Sequence, residues 1–139
     1  MSFNTLITGA NRGIGLEFVR QYAEAGWRVY ACCRNPPKAD ALHRIEKQFD
    51  GRVSIHMLDV GNSDHINKLA KELSNVAIDL LVNNAGIYRT DRGMNHNIDE
   101  EAWIESFRVN TMAPLKLADA FIQNITRSQL KRIANITSK

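Results

Sequence analysis

The segment Thr8-Gly9-Ala10-Asn11-Arg12-Gly13-Ile14-Gly15 joins a short apolar run to a longer helical pattern. Its glycines have separate uses. One placed directly after a strand permits a tight turn, and later ones let a ligand approach the backbone and let helix pack close to sheet. The free N–H groups opening the following helix then face an anion. The spacing is Gly-x-x-x-Gly-x-Gly, which departs from the commoner GxGxxG fingerprint and from a phosphate loop ending in Gly-Lys-Ser/Thr. Gly9, Gly13 and Gly15, with Asn11, Arg12 and Ile14 between them, are candidates for holding a dinucleotide pyrophosphate. A tight turn that merely needs small residues is the plainer reading.

A dinucleotide site with this layout expects an acidic residue about 20 positions on, bonded to the ribose hydroxyls of NAD. Here the second apolar run ends Cys32-Cys33-Arg34, with no carboxylate. A guanidinium at Arg34, with another at Arg12 inside the turn, suits a 2′-phosphate and so NADP(H) in preference to NAD(H). Arg34 as a solvated charge at a strand end is the alternative.

At the far end, Ile133-Ala134-Asn135-Ile136-Thr137-Ser138 delivers a hydroxyl from an apolar run. As a nucleophile Ser138 would need a His/Asp relay, and the sequence offers none. His43, His56, His65 and His96 form no metal-ligand spacing, so no metal site is expected. Cys32 and Cys33 are not C-x-x-C, and in a strand they point to opposite faces, which predicts core packing. Trp27 and Trp103 read as packing residues.

The elements that must position these groups are short apolar runs alternating with helical stripes. Strands are predicted over 3–8, 28–33, 53–58, 78–82 and 132–137. Helices are predicted over 13–25, with Ile14, Phe18, Val19 and Tyr22 on one face; after Pro36-Pro37, with Ala41, Leu42, Ile45 and Phe49; and from a cap at Ser63, with Ile66, Leu69, Ala70 and Leu73. A long helix capped by Asp99 runs through Trp103 and Phe107 to Phe121, broken or kinked by Pro114. Between the fourth strand and this helix lies a polar segment from Tyr88 to Asn97. Strand–helix alternation of this kind is solved by an α/β fold, a parallel sheet with right-handed crossovers.

The chain has 139 residues, 44% hydrophobic and 24% charged, which fits one globular domain. A net charge of +3 from scattered basic residues implies no nucleic-acid partner. No apolar run of about 18 residues exists to span a membrane, and the start lacks the pattern of a secretory leader. Two adjacent cysteines cannot staple distant segments, so a reducing, cytoplasmic setting is expected.

Taken in order, TGANRGIG at 8–15, Leu58-Asp59-Val60, Asn83-Asn84-Ala85-Gly86, Asn110 and IANITS ending at Ser138 resemble the classical short-chain dehydrogenase/reductase family. The opening and Arg34-Asn35-Pro36 are most similar to its carbonyl-reductase and C-factor-like branch. The resemblance implies a three-layer Rossmann-type fold, with strands 3-2-1-4-5 present and the C-terminal strands missing. Residues 1–139 would be an NADP(H)-binding domain truncated after the fifth strand. It implies that Asp59 accepts from the adenine amino group and that the Val60 backbone adds a contact. Asn83, Ala85 and Gly86 would line the adenosine ribose and support the central strands, and Ile14 would lie near the nicotinamide. Asn110 would hold a water in a proton relay, and Ser138 would bond the oxygen of a small carbonyl or alcohol substrate.

The family supplies its proton from a tyrosine paired with a lysine four residues later. Tyr22, Tyr30 and Tyr88 have no such lysine, and all precede Ser138. The implied function is NADP(H)-dependent hydride transfer, this chain being the cofactor-binding portion and inactive alone. The alternative is a non-catalytic dinucleotide-binding or interaction module. A full-length form is expected to be a homo-oligomer. A sheet ending at strand five would leave an open edge prone to association.

Overall fold

The computed structural model describes residues 2–87 and 98–137. Among these residues five strands form, of which the central ones, rich in Leu, Ile, Val and Cys, are mostly buried, while the outer two are more exposed. The five are β1 (Asn4–Ile7), β2 (Arg28–Cys33), β3 (Val53–Met57), β4 (Leu80–Asn83) and β5 (Arg132–Asn135). All neighbours pair in parallel, in the order β3-β2-β1-β4-β5. Thr5 lies opposite Val29 on one side and Leu80 on the other, so β1 is central.

Period-two geometry sorts adjacent residues into two cores. Ile7, Cys33 and Val82 join Val19 and Ala23 of α1 (Gly13–Glu24) and Leu42 and Ile45 of α2 (Asp40–Gln48). Leu6, Cys32 and Leu81 face the other way. They meet Ile66 and Leu69 of α3 (Ser63–Glu72), Ala113 and Leu117 of α5 (Ala113–Ala120), and Ile125 of α6 (Ile122–Thr126). Phe121, between α5 and α6, is fully buried in this second layer. Cys32 and Cys33 thus point to opposite layers, and burial pushes both thiols above their ordinary range.

The chain moves outward from β1 through β2 to β3 with helices on one face. It then crosses to β4 and proceeds to β5 with helices on the other. The reversal falls between β1 and β4, and a crevice opens at the carboxyl ends of those strands. At the opposite end, buried Asp79 ties the sheet together. Its carboxylate accepts from the N–H groups of Asn4, Gln129 and Leu130 at 2.9, 3.0 and 3.1 Å.

Several boundaries differ from the sequence reading. Pro36–Lys38 forms a short 3-10 turn before α2. The cap of α3 is Asn62 rather than Ser63: its side chain accepts from the N–H groups of Asp64 and His65, and Ser63 is already helical. Asp99 does cap α4 (Glu100–Phe107), accepting from Ala102 N–H at 3.0 Å. The long helix is interrupted upstream of Pro114, at a π-helical turn over Arg108–Met112. There the Ala113 N–H reaches back five residues to the Arg108 carbonyl. Trp103 is 60% exposed and packs into no core, because the 3.6-residue period that buries Ala102 turns its neighbour outward.

Candidate functional site

Thr8, directly after β1, is buried with its hydroxyl aimed at the segment following β4. Its Oγ1 accepts from the N–H groups of Asn84 at 3.0 Å and Ala85 at 2.9 Å, and donates to the Val82 carbonyl. The Asn84 side-chain amide answers by donating to the carbonyls of Thr8 and Gly9 at 3.2 and 3.1 Å. Two loops distant in sequence are thereby stitched into one floor. Sequence reasoning singled out neither Thr8 nor Asn84 for a role, because these bonds link groups 75 to 77 positions apart.

The glycines fit this floor by shape. Gly9 has φ of +60°, and a Cβ there would sit 2.8 Å from the Ala85 Cα. At Gly15 a Cβ would sit 2.2 Å from the Gly9 carbonyl oxygen and 2.5 Å from Asn84 Nδ2. The start of α1 therefore lies directly on the turn. That helix start has an extended Arg12 at its cap position, no side-chain capping bond and no acidic residue in its first turn. Its orphan N–H groups and the positive end of its dipole are left for an anion.

A cleft of about 510 Å3 opens above this floor. Of the residues singled out from sequence, Gly9, Asn11, Arg12, Gly13, Ile14, Arg34, Asp59, Val60, Ala85 and Gly86 line it. Lys38, on the 3-10 turn after β2, adds a third cation beside Arg12 and Arg34 that sequence reasoning passed over. Ile14 is 61% exposed at the cleft and does not join the apolar face of α1 assigned to it from periodicity.

Asn83 lies elsewhere. It is buried between β4 and β5, where its Nδ2 donates to Asn135 Oδ1 at 2.8 Å and its carbonyl accepts from Ile136. Its Oδ1 has no partner among the described residues. It braces strands and does not line the cleft; Asn84 does. Gly15 contributes through packing alone, being buried beneath the turn.

Asn110 sits in the π turn and clamps the chain after β4. Its Oδ1 accepts from Ile87 N–H at 2.9 Å, and its Nδ2 donates to the Ile87 carbonyl at 2.7 Å. Each end of its amide makes one bond, which leaves a second N–H and a second lone pair on this exposed side chain. Its main-chain carbonyl lies four residues before Pro114, which has no N–H to offer it. Ser138 and the segment from Tyr88 to Asn97 lie outside the described residues. Among the described residues no group of His, Cys, Asp or Glu could hold a metal ion, and no helix is long and apolar enough to cross a membrane.

Comparison with known proteins agrees with this architecture. The family model "short chain dehydrogenase" matches residues 4–139. The chain is 31% identical to (+)-neomenthol dehydrogenase of Arabidopsis thaliana, over 96% of this chain and 52% of that protein. It is 30% identical to Protein FixR of Bradyrhizobium diazoefficiens, over 96% of this chain and 49% of that one. The chain thus spans about half the length of these relatives. The crystal structure of a carbonyl reductase from Pseudomonas aeruginosa PAO1 in complex with NADP superposes with a TM-score of 0.86 at 29% identity, covering 98% of this chain and 61% of that one.

Proposed function

The chain belongs to the short-chain dehydrogenase family, and from that premise we propose that it is the NADP(H)-binding portion of an oxidoreductase acting on small carbonyl or alcohol substrates. The observation that carries the cofactor preference is the rim of the cleft. Arg12, Arg34 and Lys38 line it, and the residue directly after β2 is a guanidinium where an NAD site would have a carboxylate. The NADP held by the Pseudomonas carbonyl reductase is consistent with that reading.

When bound, the nicotinamide supplies or takes up the hydride. This chain's residues bind and orient. The uncapped start of α1 and the turn at Gly9 and Gly13 would hold the pyrophosphate, and Gly15 lets the helix approach. Asp59 and the Val60 backbone would meet the adenine, while Ala85 and Gly86 form the wall beside the ribose. Asn110 holds that wall by its grip on Ile87, and it would hold a relay water. Ser138 would steady the substrate oxygen. A developing alkoxide needs a proton donor, and no Tyr-x-x-x-Lys occurs among these 139 residues. Cofactor binding with little turnover is therefore the behaviour proposed for the chain by itself.

The setting proposed is cytoplasmic, with two buried, unbridged thiols. Copies of the whole protein are proposed to assemble, since Trp103, Phe107 and Leu115 leave apolar surface on α4 and α5 exposed. The deciding experiment is a fluorescence titration of the chain with NADPH and NADH. Tighter NADPH binding, by at least about tenfold and narrowed by Arg34→Ala, is expected. Equal or tighter binding of NADH would refute the preference.

A further inference from the structure

Asp59, two residues beyond β3, is held by three hydrogen bonds. Its carbonyl accepts from Asn62 N–H at 2.9 Å. Its Oδ1 accepts from Gly61 N–H at 2.9 Å. Its own N–H donates to His65 Nδ1 at 3.1 Å. The first two bonds are internal to the turn. The third comes from α3 and ties the turn to a helix. It also fixes the state of the ring. A main-chain amide only donates, so Nδ1 must present a lone pair, and the neutral imidazole carries its proton on Nε2.

The helix itself does not require this bond. Asn62 already caps α3 by accepting from Asp64 and His65. What the bond constrains is Asp59. With Oδ1 taken by Gly61, Oδ2 is left without a protein partner among the described residues, and Asp59 lines the cleft. The turn is also confined sideways, since a Cβ on Gly61 would lie 3.3 Å from Asp59 Oδ1 and 3.4 Å from a methyl of Val109.

We propose that His65 is a positioning residue for base recognition: by accepting the Asp59 amide it orients the Asp59 carboxylate toward the exocyclic amino group of a bound adenine. This rests on the cofactor reading above. A fixed carboxylate favours an amino group, which donates, over a carbonyl oxygen at the same place, which sets lone pair against lone pair. A carboxylate free to swing away discriminates less. The ratio of affinities for adenine and hypoxanthine dinucleotides therefore reports on orientation.

The test is equilibrium binding of NADPH, of its hypoxanthine analogue and of NADH to the chain and to His65→Phe and His65→Asn. Phenylalanine keeps a ring without an acceptor. Asparagine places an oxygen near the position of Nδ1. The unmodified chain should favour NADPH over the hypoxanthine analogue. His65→Phe should cut that ratio roughly threefold to tenfold, the worth of one hydrogen bond. His65→Asn should keep most of it. In both variants the NADPH-to-NADH ratio should stay the same, because it depends on Arg12, Arg34 and Lys38. An unchanged adenine ratio in His65→Phe overturns the role of His65 while leaving the cofactor reading intact. So does a loss as large in His65→Asn as in His65→Phe, or no base discrimination in the unmodified chain. If the unmodified chain binds none of the three dinucleotides, the cofactor reading fails and this role fails with it.

Discussion

Replacing Thr8 by valine removes one oxygen and keeps the side-chain shape. That oxygen is the acceptor for two main-chain N–H groups, Asn84 at 3.0 Å and Ala85 at 2.9 Å, and the donor to Val82 at a longer 3.4 Å. Thr8 is 1% exposed, so water cannot readily replace the lost partner on that side. The Asn84 N–H keeps a second acceptor, the Val82 carbonyl at 3.1 Å, so one donor, the Ala85 N–H, is left unpaired, at about 1–3 kcal/mol. Ala85 is only half buried and can recover part of this from solvent, so the lower half, about 1–2 kcal/mol, is expected. Against a typical total of about 5–15 kcal/mol this is a measurable loss. Urea unfolding followed by circular dichroism measures it. Thr8→Ser, which keeps the oxygen, should lose about 1 kcal/mol or less for its missing methyl group. A Thr8→Val chain within about 0.5 kcal/mol of the unmodified one, or Thr8→Ser as damaged as Thr8→Val, would refute the view that this hydroxyl joins the two loops; mutations away from such features ordinarily stay within that range.

Three further outcomes are expected. Gly15→Ala forces a methyl to 2.2 Å from the Gly9 carbonyl oxygen, so helix and turn must separate; a loss of about 1–3 kcal/mol or more, with NADPH affinity falling in parallel, should appear in melts and titrations, and unaltered binding would contradict it. Asn124 is 4% exposed and donates to the carbonyls of Leu73 and Val76 at 2.7 and 2.8 Å; Asn124→Ala should cost about 2–4 kcal/mol in urea unfolding, and a cost below about 1 kcal/mol would count against those bonds. His56 is held below its ordinary pKa of 6.5 by burial, opposed by the charge of Glu72. Below pH 6.5 the unfolded chain takes up the proton more readily, so its stabilising contribution is complete above 6.5 and declines as pH falls toward the lowered folded value. The urea midpoint should therefore drop less between pH 7 and 5 in His56→Gln than in the unmodified chain, and parallel slopes would refute the assignment.

Short runs rich in apolar residues located all five strands, and the period of two alone predicted that Cys32 and Cys33 face opposite layers. Asp99 was readable as a cap because a polar oxygen acceptor directly before a helical stripe has one economical use. Where two such residues are adjacent, as at Asn62 and Ser63, the pattern does not choose between them; the backbone does, since only Asn62 remains extended. Pro114 flagged an interruption, but the break lies over the preceding residues, where the ladder shifts before the missing donor arrives. Much of the cleft rim was visible from residue type and spacing. The floor was not: Thr8 and Asn84 act through bonds between segments that only the sheet brings together. Asn83 and Asn84 look equivalent in sequence, yet the end of β4 sends one into the sheet and the other to the cleft.

The π turn at Arg108–Met112 adds a residue to a helix that otherwise repeats every 3.6, which advances its angular phase by about 100°. Upstream, the phase sets Ala102 inward and Trp103 and Phe107 outward; downstream, it sets Ala113 and Leu117 inward. A single-residue deletion within the turn would turn one half of the rod against the other. Either Leu117 leaves the core or Asn110 swings off Ile87. The helix works as a keyed shaft, its inserted residue coupling the packing of one end to the wall of the cleft at the other.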